Sequence, residues 1–254
     1  MSGITIERRG PVLVLLLNRP GRRNAVDQEM SCAIENALDL FDGDDDLHAA
    51  VITGAGGYFS AGADLKAAAQ GAPPAVTIKR GNFGLVRKPP EKPLIAAVEG
   101  GALGGGFEIA LACDLVVASR DAVFGLPEAS RGVLAAAGGY VRLARRIPAA
   151  IAMELALTAQ PVSAVRLHEL GLINKLCERG DALAAACVIA ETVARNAPLA
   201  VRAAKRIIGG ATEMTETESW EAQESELERI RATADYREGV RAFADKRPPS
   251  WRGK

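Results

Sequence analysis

Histidine is almost missing: His48 and His168 are the two in 254 residues. Cysteine is little commoner, and Cys32, Cys113, Cys177 and Cys187 form no CxxC pair. Neither type shows metal-ligand spacing, so no metal centre is expected. Four thiols in so long a chain suit a reducing compartment better than a disulfide framework, which points to the cytoplasm. Charge of one sign is not in excess either, with 31 Lys plus Arg against 31 Asp plus Glu. A nucleic-acid binder usually carries a basic surplus, so nucleic acid is not an expected partner. The apolar run over 12–17 is far short of the roughly 20 residues a membrane span needs, so no membrane is expected. Glu7, Arg8 and Arg9 interrupt the start before a secretory apolar core can build. Three cofactor and nucleophile patterns are also absent: GxGxxG, the P-loop ending Gly-Lys-Ser/Thr, and GxSxG.

Apolar residues make up 48% of the chain, too many for a disordered polymer without net charge. The first half alternates short apolar runs with Gly-rich punctuation. Strands are expected over 3–8, 12–18, 49–53, 94–99, 114–118 and 122–124. A helix is expected over 27–41, with Asp27 as its N-cap and Met30, Ala33, Ile34, Ala37 and Leu40 on one face. Strands separated by helices imply an α/β layout. Residues 71–93, flanked by Pro-rich stretches, read as a mobile connection. The second half turns helical, with apolar helical spacing over 136–146, 149–158, 165–170, 182–196, 198–208 and 214–234. The glutamates of the last segment read as a solvated face, and 246–254 as a basic tail.

Three segments carry chemistry. In Ile52-Thr53-Gly54-Ala55-Gly56-Gly57-Tyr58-Phe59-Ser60-Ala61-Gly62-Ala63-Asp64-Leu65-Lys66, a strand ends in small residues that let a ligand approach backbone N–H groups. In Gly104-Gly105-Gly106-Phe107-Glu108, consecutive glycines open a helix at a cost of about 1 kcal/mol each relative to Ala. Their use is access to the exposed N–H groups of a helix start, which favour negative charge. Glu108 projects from nearly the same side one turn later. In Gly125-Leu126-Pro127-Glu128, a second carboxylate follows a strand end.

In this order the segments resemble the crotonase (enoyl-CoA hydratase/isomerase) superfamily. The resemblance begins at Leu17-Asn18-Arg19-Pro20 and Asn24-Ala25. It runs through Phe59–Lys66 and Ala102–Glu108, and ends at Phe243-Ala244-Asp245-Lys246-Arg247. It implies a ββα superhelix, a spiral core over 1–195, followed by a C-terminal helical trimerisation region over 196–254. It implies an acyl-CoA thioester substrate and a homotrimer or a hexamer of paired trimers. Coenzyme A would be part of the substrate, with no separate cofactor. The matching positions imply an oxyanion hole at the N–H groups of Ala63 and Gly105. They also imply a CoA path along Ala61, Gly62, Asp64, Leu65 and Lys66, with the adenine near Ala61. Phe243 and Lys246 would reach the adenine end from a neighbouring subunit, and Arg22 or Arg23, Lys66 and Lys246 are candidate phosphate partners. Glu108 and Glu128 fall where hydratases carry their two catalytic carboxylates, 20 positions apart. Family members limited to isomerisation often lack one of the pair, so hydration of a 2-trans-enoyl-CoA is the leading expectation. Glu108 would be the base and Glu128 the acid. Another crotonase reaction (isomerisation, hydroxyacyl-CoA dehydration, thioester hydrolysis) and a non-catalytic acyl-CoA binder are the alternatives. The stretch Val133-Leu134-Ala135-Ala136-Ala137-Gly138-Gly139-Tyr140 departs from the usual Ile-Pro-Gly-Ala-Gly-Gly of hydratases, in a region that shapes the acyl pocket. Arg131 is expected in solvent or in a structural ion pair.

Overall fold

A computed structural model describes residues 3–254. The first layer is a six-stranded sheet in the order β1-β2-β3-β6-β8-β11. Its strands are β1 (Ile4–Arg9), β2 (Val12–Leu17), β3 (Ala49–Gly54), β6 (Leu94–Val98), β8 (Leu115–Ser119) and β11 (Lys175–Cys177). β1 and β2 form an antiparallel hairpin, and each later pairing is parallel. Between the main strands lie α1 (Gln28–Gly43), α2 (Leu65–Ala68), and the two-residue strands β4 (Val76–Thr77) and β5 (Gly81–Asn82). A smaller sheet, in the order β10-β9-β7, stands beside it. It holds β7 (Gly101–Leu103), β9 (Val123–Gly125) and β10 (Val162–Ser163). Each of β6 and β8 therefore passes directly into a strand of the second sheet and then into a helical segment. Those segments contain α3 (Gly105–Ala112), and α4 (Gly139–Arg146) with α5 (Ala149–Thr158). This is the ββα spiral that the resemblance implied.

The strand pattern explains the layers. Leu13, Leu15 and Leu17 of β2 face one core, with Ala50 and Ile52, Leu94 and Ala96, and Val116 and Ala118. Val12 and Val14 face a second core, with Ala49 and Val51, Ile95 and Ala97, and Val117. Both faces are covered, as a parallel sheet requires. α1 covers the first with Met30, Ile34, Leu38 and Phe41, and Asp27 caps it by accepting the Met30 amide at 3.0 Å. α6 (Ala164–Glu169) follows β10, and α7 (Ala182–Ala194) covers the second face with Ala182, Ala186, Cys187 and Ala190. Small side chains let that helix lie close to the strands.

The last part is helical: α8 (Pro198–Gly210), α9 (Glu216–Arg231) and α10 (Ala234–Ala244). Thr215 and Glu218 form a capping box at the start of α9. The helix expected over 214–234 ends early, because Thr233 accepts the Tyr236 amide at 3.0 Å and starts α10. Among the described residues no single helix is long and apolar enough to cross a membrane.

Two expectations are corrected. Residues 71–93 are not a loose connection: Arg80, Phe83, Leu85 and Val86 are buried. The Arg80 guanidinium reaches Asp42 at 2.8 Å and Asp39 at 2.7 Å, pinning the segment to α1. The acidic face of α9 is not wholly solvated, since Glu226 is buried and takes a two-pronged bond from Arg206 of α8 at 2.9 and 2.7 Å. The basic tail is docked: Arg247 grips Glu238 at 2.7 and 2.9 Å, and the Trp251 indole donates to Arg195 O at 2.9 Å.

Candidate active site

The first wall is the loop after β3. Asn24, fully buried, donates its side-chain amide to Ala55 O at 2.9 Å and Tyr58 O at 2.6 Å. Ser60, also buried, donates to Asn24 O at 2.9 Å and accepts from Gly62 N at 3.1 Å. The Ala61 amide donates to Arg23 O at 2.9 Å. Val26 N donates to Gly62 O and Asp64 N to Val26 O, at 2.8 and 3.1 Å. In that parallel bridge, Ala63 is the residue whose own N–H turns to the opposite side. It is exposed there.

The second wall is the start of α3. Gly105 is the first helical residue, so its N–H has no acceptor within the helix. The two walls touch backbone to backbone: a Cβ on Gly105 would lie 3.1 Å from Gly62 Cα. Ala63 is thus one residue from that contact and Gly105 is part of it.

The carboxylates come next. Glu108 is buried in the first turn of α3, where the helix dipole favours negative charge. Its Oε1 accepts the amides of Ala137 at 2.8 Å and Gly139 at 2.9 Å. Burial pushes its carboxyl above the ordinary range, the two amides oppose this, and the negative charge of Glu128 adds to the rise. Glu128 sits in a short 3-10 turn, Pro127–Arg131, directly after β9. Its Oε2 is buried and has no hydrogen-bond partner among the described residues. Burial raises this carboxyl too, against its own backbone amide and the charge of Arg131. Gly104, with φ 55° and ψ −126°, stands in a region only glycine enters easily. A Cβ there would meet Glu128 Oε1 at 2.9 Å. Phe107 and Phe124 pack edge to face, centroids 5.3 Å apart, and lock α3 to β9. The geometry therefore brings both glutamates to the helix start that presents Gly105. Arg131 is exposed.

The remaining candidates spread outward. Asp64 is buried: it caps α2 through the Ala67 amide at 3.1 Å and pairs with Arg22 at 2.8 Å and Arg19 at 3.1 Å. Arg22 is therefore engaged inside the chain. The Arg23 guanidinium lies 5.6 Å over the Tyr58 ring. Leu65 and Lys66 are exposed on α2. Phe243 is 88% exposed at the end of α10, followed by Lys246. Both lie far from the glutamates in the sequence. Among the described residues no group of three or more His, Cys, Asp or Glu is placed to hold a metal ion.

Two contributors escape sequence reading. The Ala137 and Gly139 amides hold Glu108, and the Gly138-Gly139 pair opening α4 was the available signal. Phe83, whose ring packs on Gly105, gave none.

A sequence profile described as Enoyl-CoA hydratase/isomerase matches residues 7–254. The chain is 40% identical over 256 residues to enoyl-CoA hydratase EchA19 of Mycobacterium tuberculosis, covering 98% of this chain and 96% of that protein. It is 38% identical over 260 residues to a carnitinyl-CoA dehydratase of Salmonella typhi, covering 100% and 99% respectively. Its structure is similar to a crystal structure of enoyl-CoA hydratase from Mycobacterium tuberculosis H37Rv, with TM-score 0.97, 48% identity and 100% of both chains covered. A carnitinyl-CoA hydratase from Mycobacterium avium matches with TM-score 0.80 and 41% identity, again over 100% of both chains.

Proposed function

Because the chain belongs to the enoyl-CoA hydratase/isomerase family, we propose that it adds water to a 2-trans-enoyl-CoA thioester, giving the 3-hydroxyacyl-CoA. The observation that carries this reading is the pair Glu108 and Glu128, the first buried and the second with a buried Oε2, with the charge of Glu128 acting on Glu108 beside the contact of the two amide-bearing loops. In this reading the thioester oxygen lies against the N–H groups of Ala63 and Gly105, which stabilise the negative charge that develops there. Glu108, whose two amide donors oppose the rise that burial causes, takes a proton from water as the water oxygen bonds to the β-carbon. Glu128, held toward the protonated form by burial, delivers a proton to the α-carbon. Its unpartnered Oε2 fits a place where water or substrate completes the hydrogen bonding.

CoA would run along residues 61–66, with Lys66 as a phosphate partner. Phe243 and Lys246 would act on a neighbouring subunit of a trimer or paired trimers. The exposed apolar side chains Trp220, Leu227, Tyr236 and Val240 on α9 and α10 support burial of residues 196–254 between subunits. A cytoplasmic role in fatty-acid or related acyl-CoA catabolism, needing no separate cofactor, accords with this reading.

Dehydration of a specialised hydroxyacyl-CoA is the second reading. It reverses the same steps, and the carnitinyl-CoA relatives favour it. A panel of enoyl-CoA and hydroxyacyl-CoA esters, followed by enoyl-thioester absorbance and mass spectrometry, tests both. Glu128→Gln and Glu108→Gln should each remove turnover and leave acyl-CoA binding. Full hydration by Glu128→Gln sinks the mechanism.

A further inference from the structure

The turn that holds Glu108 is itself fastened from behind. Arg142 lies half-buried on the first turn of α4. It donates Nη2 to Val86 O at 2.6 Å and Nη1 to Ala137 O at 3.4 Å. Ala137 in turn gives its N–H to Glu108 Oε1 at 2.8 Å, and Gly139 does so at 2.9 Å. One guanidinium thus spans two carbonyls, one on the buried 85–86 stretch and one on a residue whose amide grips the carboxyl. The guanidinium presses on the turn so closely that a Cβ at Gly138 would overlap Nη1.

We propose that Arg142 is a positioning residue for Glu108: it ties Ala137 to Val86, keeps the two-amide cradle closed, and places a fixed cation behind the carboxylate. The proposal rests on Glu108 being the base in the reading above. A planar fork suits two carbonyls at once, whereas an ammonium is a point charge. The charges that act on Glu108 are Glu128, from the 3-10 turn, and Arg142, which favours the ionised form. Arg145 and Arg146 on α4 face Arg142 itself. Cys113, at the end of α3, is pushed up to about 12 by burial and stays neutral.

The experiment compares wild type, Arg142→Met and Arg142→Lys. Infrared titration of the substrate-free protein follows the Glu108 carboxyl band, identified by its loss in Glu108→Gln. Steady-state kinetics on an enoyl-CoA ester gives kcat and KM. Arg142→Met should raise the Glu108 midpoint by at least about 0.5 pH unit and lower kcat by about 10–100-fold, with KM within about two-fold. Arg142→Lys should hold the midpoint near wild type, and lose about ten-fold in kcat because the fork is gone. An unmoved midpoint in the Met variant, or a Lys variant as shifted as Met, overturns the proposal. If the Met variant does not fold, the Lys variant decides: lower kcat at unchanged KM supports it, and unchanged kcat overturns it. A midpoint shift in a wild-type background that hydrates nothing would sink the reaction assignment and keep the Arg142–Glu108 link.

Discussion

The ring of Phe83 fills the space that a side chain on Gly105 would occupy. Phe83 comes from the packed 81–88 stretch and holds φ 57°, a left-handed conformation unusual for an aromatic residue. Gly105→Ala should therefore disturb the amide assigned to the oxyanion. We expect a loss of about 1–3 kcal/mol in stability from overpacking, and a fall of about 10²–10³ in turnover. Adding Phe83→Leu should recover part of the melting temperature. Thermal unfolding and kinetics of the four-member cycle check this coupling.

Glu128 should cost the fold stability at neutral pH. Its carboxyl is held above the ordinary range by burial. A raised acid binds its proton more tightly folded than unfolded. Stability from this group is therefore fully present below the unfolded value of about 4.3, and is lost as pH rises through the folded one. Glu128→Gln removes the charge and should melt higher than wild type at neutral pH. The gain should vanish in acid. Calorimetry across a pH series measures it, and a variant that melts lower at every pH contradicts the account.

Asp64 should behave in the opposite sense. Burial works against its charge, but the Ala67 amide and the guanidiniums of Arg22 and Arg19 outweigh this and hold its carboxyl below the usual range. Its contribution is present above the unfolded value of about 3.9, and fades as pH falls through the depressed folded value. Asp64→Asn should lose about 1–3 kcal/mol at pH 7, with the deficit shrinking in acid. Urea unfolding at both pH values reads the difference.

Arg80 should decide whether 71–93 resists proteolysis. Wild type should be cut slowly there, since Arg80 is buried against Asp39 and Asp42. Arg80→Ala leaves those carboxylates without their shared cation and should lose about 1–3 kcal/mol. Trypsin should then cleave quickly after Lys79 and Arg87, as mass spectrometry of the fragments would show. Equal rates in both proteins would contradict the packing described.

Periodicity revealed β1, β2, β3, β6 and β8 of the main sheet; in β2, Leu13, Leu15 and Leu17 alternate with Val12 and Val14, and both sets are apolar enough to register as one run. It did not reveal β11 at the edge of that sheet, β7, three residues wedged among glycines, or the burial of 83–86, whose order comes from Arg80 and two distant carboxylates on α1. The same limit applies at the candidate site. Glu108 stands out after three glycines in the sequence. Its amide donors lie 29 and 31 residues further on, in a stretch whose composition says only that it is small. Glycine marks where a backbone comes close, but not what approaches it.

The order of strands has a consequence for how the reactive centre comes into being. Within the six-stranded sheet, only the β1–β2 hairpin can zip locally. Elsewhere Ala50 must find Leu94, and Lys175 must find Val117. Pairing of such remote segments makes folding slow. The peptide groups around Gly62 and Gly105 meet only after β3 and β6 are in register. No fragment short of that encounter holds a partial catalyst, and hydrogen exchange at the bonded amides of Val26 and Asp64 should report opening of the whole chain.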